Sequence, residues 1–187
     1  MITLDELNAL MLWGSAFQKW QDPEVIFTIA SHGNTYVEIG TRWGGSAIVA
    51  GLAGCEVHCI DPWEYKADKP LHLHSVPHDV RRNWDYAGLP QEKLFLYQQS
   101  HPPWPKIIED RAFDIGMIDG AHNKEQVRLD WEGMKSKATK YILFHDASTN
   151  SEVELVFAEA ASDSAWEIEE LSLESQFGIL RRCGLSS

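Results

Sequence analysis

The chain has 187 residues, 44% of them hydrophobic, which is enough apolar material for one sizeable core and gives no sign of a second. A net charge of -12, from 28 acidic against 16 basic residues, argues against a nucleic-acid-coating surface, which gains affinity by matching phosphates with clustered cations. No apolar run reaches the roughly 18 residues that span a bilayer, and Met1-Ile2-Thr3-Leu4-Asp5-Glu6 lacks the basic and apolar regions of a signal peptide, so a cytoplasmic protein without a membrane partner is expected.

Thr3 and Glu6 have the spacing of a capping box, opening a helix with Leu4, Leu7, Leu10 and Met11, and Asp22-Pro23 reads as the start of another. These make an N-terminal helical segment over residues 1–33, ahead of a main domain over 34–187. Strands predicted at 35–40, 56–61, 93–99, 113–119 and 141–146 alternate with helices beginning near Gly44, Pro77, Pro102, Asn123 and Ser151. Five such units predict an α/β fold, a Rossmann-like doubly wound sheet with helices on both faces. The runs 166–171 and 177–182 are too close together for a helical crossover and predict a C-terminal antiparallel hairpin. Cys55, Cys59 and Cys183 have neither C-x-x-C spacing nor a disulfide framework and read as small buried apolar residues. Val127, Trp131 and Met134 mark the packed face of the helix after Asn123.

The most informative stretch is Tyr36-Val37-Glu38-Ile39-Gly40-Thr41-Arg42-Trp43-Gly44-Gly45-Ser46, an apolar strand leading through a glycine-rich turn into a helix. Gly40 permits a sharp turn, while Gly44 and Gly45 leave the helix N-terminus and its free N–H groups open to a ligand. The next strand ends in Asp61, where ribose hydroxyls are usually held in such folds. The dinucleotide fingerprint G-x-G-x-x-G is not met, because Arg42 stands where its second glycine would make room for a pyrophosphate. A glycine-rich turn without a ligand is the plain alternative.

Further on, Phe113-Asp114-Ile115-Gly116-Met117-Ile118-Asp119-Gly120-Ala121-His122 and Tyr141-Ile142-Leu143-Phe144-His145-Asp146 both carry an apolar strand to an acid beside a histidine. Strand carboxyl ends face the ligand crevice in an open α/β sheet, so Asp61, Asp119 and Asp146 converge on one edge. Asp119 and Asp146 then repel unless a cation or proton lies between them. The plain alternative is that these residues only cap the helices that follow.

The E-x-G-x-x-x-G-G turn resembles the first motif of the class I S-adenosylmethionine (SAM)-dependent methyltransferases. Ile118-Asp119-Gly120-Ala121-His122, the helix after Asn123 and Phe144-His145-Asp146 resemble their small-molecule O-methyltransferase branch, which holds macrolide sugar and aminocoumarin sugar methyltransferases with cephalosporin hydroxylase-like proteins, the methyltransferase family 24 type. The resemblance implies a seven-stranded sheet in the order 3-2-1-4-5-7-6 and methyl transfer to a hydroxyl of a small-molecule acceptor. It implies SAM contacts at Glu38, Gly40, Thr41, Gly44, Gly45, Ser46, Asp61, Pro62, Trp63, Gln99, Ser100 and Asp119. It further implies Mg²⁺ ligands at Asp119, His145 and Asp146, and His122 as general base. Ala121 departs from the family's usual polar residue, and the Gly-Gly common before strand five is missing from Ser136-Lys137-Ala138-Thr139-Lys140. Glu38 is either the acid that indirectly holds the methionine ammonium or a solvent-exposed strand end. A SAM-binding protein without turnover and a nicotinamide-dependent oxidoreductase are the competing readings.

Residues 62–76 form a long aromatic and charged loop holding His72 and His74, with His78 just beyond; it reads as a lid rather than a zinc site, having no acid or cysteine partner at fixed spacing. The lid and the N-terminal helices are the material for an acceptor pocket, and a homo-oligomer would supply a further wall to so small a domain.

Overall fold

The computed structural model describes residues 22–63, 76–100, 103–171 and 175–185. The helix with Leu4 to Met11 and most of the proposed lid, with His72 and His74, lie outside these residues. The described elements in chain order are α1 (Asp22–Ala30), β1 (Thr35–Ile39), α2 (Gly45–Leu52), β2 (Glu56–Asp61), α3 (Pro77–Tyr86), β3 (Leu94–Gln98), β4 (Phe113–Ile118), α4 (Lys124–Met134), β5 (Ala138–Phe144), α5 (Ser151–Ala161), β6 (Trp166–Ile168) and β7 (Gly178–Arg182).

The strands form one sheet in the order β3-β2-β1-β4-β5-β7-β6, as the resemblance implies. Strands β1 to β5 pair parallel, and β7 runs antiparallel to both β5 and β6. Helices cover both faces, so the central strands are apolar on both sides: every residue of β1 from Tyr36 to Ile39 is buried. Tyr36, Cys59, Met117 and Leu143 pack with α1, α2 and α3 on one face. Val37, Ile60, Ile118 and Ile142 pack with α4 and α5 on the other. Val25, Ile26, Ile29 and Ala30 of α1 are buried in the first of these cores. Val127, Trp131 and Met134 of α4 are buried in the second, as their spacing predicts. Winding reverses between β1 and β4, and the crevice outside their carboxyl ends is where such sheets bind ligands.

Four local expectations need correction. No helix follows Pro102; the described path from Pro103 to β4 makes only a 3₁₀ turn, Lys106–Ile108, because Pro103 and Pro105 have no N–H to donate. Strand β5 starts at Ala138 rather than Tyr141, since Phe113 pairs with Ala138 and the Lys140 ammonium lies 3.2 Å from the Asp114 carboxylate. Pairing with β4 thus recruits residues whose polarity reads as loop. The hairpin ladder is shorter than expected, its last registered pair being Ile168 with Leu180. Cys55 and Cys59 are buried, but Cys183, past the end of β7, is exposed.

Candidate active site

Backbone hydrogen bonds draw the carboxyl ends of the strands into one rim. Gly40 N–H donates to the Ile60 carbonyl (2.9 Å), Asp119 N–H to that of Ile39 (2.9 Å) and His145 N–H to that of Ile118 (3.1 Å). Among the described residues, three that are not glycine have left-handed backbone: Arg42 (φ 50°), Trp63 (φ 42°) and Asp146 (φ 59°). They follow β1, β2 and β5 on this same rim. Each such conformation costs of order 1–3 kcal/mol and persists where surrounding structure over-determines it, a pattern that clusters at functional sites.

The half of the rim at β1 and β2 is held by backbone amides and hydroxyls. Gly40 has φ 91°, and a Cβ there would lie 2.0 Å from the Asp119 carbonyl oxygen. Glycine is therefore required to admit the turn after β4, a demand distinct from ligand approach. Gly44 (φ 83°) precedes α2 without a side-chain cap, and a Cβ on it would meet Val80 of α3 at 2.7 Å. Thr41 is buried in the turn closed by the bond from Gly44 N–H to its carbonyl, and Gly45 and Ser46 open α2.

Glu38 is only 1% exposed, which removes the solvent-exposed alternative. Its carboxylate accepts from the Ser46 hydroxyl (2.6 Å) and the Tyr36 hydroxyl (3.1 Å). Burial outweighs these bonds and pushes its pKa up to about 7. Asp61 accepts from the N–H groups of Arg42 (2.8 Å) and Trp63 (2.7 Å), and the Trp63 indole donates to the Arg42 carbonyl (3.1 Å). The turns after β1 and β2 are thereby tied through one carboxylate, whose pKa burial raises despite the amide bonds. Pro62 and Gln99 adjoin it: Gln99 N–H donates to the Asp61 carbonyl (3.1 Å), while its side chain turns away to the Pro103 carbonyl. Ser100 is exposed on the rim beyond.

The half at β4 and β5 is held by charge. His122 Nε2 lies 2.9 Å from Asp146 Oδ2 and 3.6 Å from Asp119 Oδ1. His145 Nδ1 lies 3.2 Å from Asp119 Oδ1 and 3.5 Å from Asp146 Oδ2. One ligand atom from each of these four residues falls within 4.8 Å of the others. Two carboxylates this close need positive charge between them, and the imidazoles supply it as protons. The bond to Asp119 raises the pKa of His122. For His145, burial would lower it, but Asp119 and Asp22 prevail and lift it to about 10. Burial alone would likewise raise Asp119; the two imidazoles hold it below the usual carboxylate range.

This donor set fits a divalent cation. Nδ1 of the buried His145 and Nε2 of His122 both face the two carboxylates, which gathers four donor atoms around one point. Carboxylates suit Mg²⁺ and Mn²⁺, and the imidazoles extend the range towards softer divalent ions. Metal and protons would compete for the same atoms.

Two contributors escaped sequence reasoning. Asp22, fully buried at the start of α1, lies 3.7 Å through Oδ2 from His145 Nε2, and Phe177 packs edge-on to the same ring at 5.0 Å between centroids. Neither has a local signal: Asp22-Pro23 reads only as a helix start.

The sequence matches the profile of a family described as a methyltransferase domain over residues 37–147, which spans all the strands lining this rim. The chain belongs to that family. Similar solved structures include an O-methyltransferase from Bacillus cereus in complex with S-adenosylhomocysteine (15% identity, covering 96% of this chain and 89% of that one, TM-score 0.68). Another is the O-methyltransferase TomG from Streptomyces achromogenes with SAM, involved in tomaymycin synthesis (12% identity, 97% and 89% covered, TM-score 0.65). A third is a Podospora anserina methyltransferase bound to S-adenosylhomocysteine (13% identity, 97% and 88% covered, TM-score 0.67). At these identities the likeness is one of fold, that of the class I SAM-dependent methyltransferases. No curated protein matches the sequence. Family and fold together make this a SAM-dependent methyltransferase and set aside the nicotinamide reading. No described helix is long and apolar enough to cross a membrane.

Proposed function

We propose that this methyltransferase moves the methyl group of SAM to a hydroxyl oxygen of a small molecule, with His122 taking the hydroxyl proton and Asp119, Asp146 and His145 holding a divalent cation, Mg²⁺ by first choice. The observation that carries this reading is the packing of Gly40 against the Asp119 carbonyl. It brings the glycine turn directly against the acid and imidazole cluster, so donor and acceptor sites share a wall.

On the donor side, the uncapped N-terminus of α2 suits the methionine carboxylate, and Glu38 behind it suits the ammonium. Asp61 retains lone pairs beyond its two amide bonds for ribose hydroxyls. Pro62 and Trp63 on one side and Gln99 and Ser100 on the other flank the adenine end. In the transfer, the acceptor oxygen attacks the methyl carbon in line, the carbon–sulfur bond breaks with its electron pair going to sulfur, and S-adenosylhomocysteine leaves. The hydroxyl proton goes to the His122 imidazole, which Asp146 orients. A divalent cation on Asp119 and Asp146 would neutralise them, lowering the pKa of the hydroxyl and freeing His122 to act as a base.

The acidic balance favours a small acceptor over a nucleic acid. The test is turnover against a panel of small hydroxylated molecules, with calorimetry of SAM binding alongside. Activity should vanish in excess chelator and return with Mg²⁺, while SAM still binds. Full activity in chelator would remove the cation from the mechanism. SAM binding with no turnover on any acceptor would favour the competing reading of a SAM-binding protein without catalysis.

A further inference from the structure

Resting on the cation site just proposed, we infer that Asp22, at the start of the helix before the sheet, is a positioning residue that turns the imidazole of His145 so that Nδ1 faces the metal. His145 is approached from three directions. Its Nδ1 faces Asp119 and Asp146, its Nε2 faces Asp22 Oδ2, and Phe177 packs against the ring edge. The two ring nitrogens thus have different carboxylate neighbours, and a neutral imidazole has one N–H to give. If Nδ1 is to offer its lone pair, the proton must sit on Nε2, which faces Asp22 Oδ2 across 3.7 Å, a gap that has to close for the carboxylate to accept it. Metal-bound histidines commonly donate their second N–H to a carboxylate in this way.

Asp22 is suited to that task and poorly suited to solvent. It is fully buried, and its Oδ2 has no hydrogen bond. Its other oxygen accepts from the Gln176 N–H at 3.2 Å, which leaves Oδ2 turned towards the imidazole. Through Asp22, α1 and the segment entering β7 meet at a ligand that follows β5. An acid needed only to begin α1 would not have to be buried against a histidine that follows β5.

The test is a double-mutant cycle on the full chain, with Mn²⁺ as probe and free ion counted by its magnetic resonance signal. Asp22→Asn keeps an acceptor for Gln176 N–H but no longer takes the imidazole proton as a carboxylate does. It should weaken Mn²⁺ about 10- to 100-fold against the wild-type chain. The same change in a His145→Ala background should leave Mn²⁺ affinity unaltered, and both variants should bind SAM as before. Equal weakening in both backgrounds, or none in the first, overturns the positioning role while the cation site stands. Failure of the wild-type chain to bind Mn²⁺ overturns the cation site and this inference together.

Discussion

The two halves of the rim hold their carboxylates by different means. At β1 and β2 the acids are tied by backbone amides and hydroxyls: Glu38 by Ser46 and Tyr36, Asp61 by Arg42 and Trp63. That half is held by hydrogen bonds rather than ion pairs, with Glu38 Oε1 left without a partner. At β4 and β5, Asp119 and Asp146 rely on two histidines from separate elements and, behind one of them, on Asp22. That half depends on protons, and a divalent cation could take their place. One is therefore rigid by hydrogen bonding, the other adjustable by charge.

Four changes break or sharpen this contrast. Gly40→Ala should have the largest effect, since it combines a positive φ with a backbone clash at 2.0 Å. A loss of about 3 kcal/mol or more is expected, read by urea unfolding, with SAM binding lost as well. Near wild-type stability would mean the two turns can separate. His122→Ala acts on the other half alone and should cut turnover about 10²- to 10⁴-fold with SAM affinity retained; an unchanged rate would move the base role elsewhere.

Glu38→Gln probes the rigid half through pH. The folded pKa of about 7 lies above the 4.5 of a free carboxyl, so the native state keeps a proton that the unfolded chain has already released. The stability Glu38 contributes is full below 4.5 and lost as pH rises through 7, a difference of about 3 kcal/mol. The variant should lack this loss, so its stability relative to wild type should rise across that window; parallel curves would show that Glu38 is ionised throughout. Asp61→Ala should be smallest, weakening SAM about tenfold in calorimetry through a lost charge-assisted bond and a loosened Trp63 turn. Equal affinity would end the ribose assignment.

Much of the fold is legible in the sequence. Alternation of apolar strands and helix starts predicted β1 to β5, and the short gap after residue 171 predicted the antiparallel pairing of the last two strands. What misled was local: prolines after Ser100 looked like a helix start, and Thr139 and Lys140 looked like loop. Their fate depends on missing N–H groups and on pairing with β4, neither of which polarity reports. The motif residues themselves stood out because each lies at the end of a strand, where chain order and place in space coincide.

The sequence alone determined that Gly40, Asp61, Asp119 and Asp146 share an edge, because parallel strands joined by right-handed crossovers must present their carboxyl ends together. Tertiary structure decided what that edge is made of: the burial of Glu38, the contact of Gly40 with Asp119, and the arrival of Asp22 behind His145. The first depends on α2 packing beside β1, the second on β1 pairing with β4, and the third on α1 meeting the segment before β7 behind His145. No local pattern encodes the side-chain distances such packing produces.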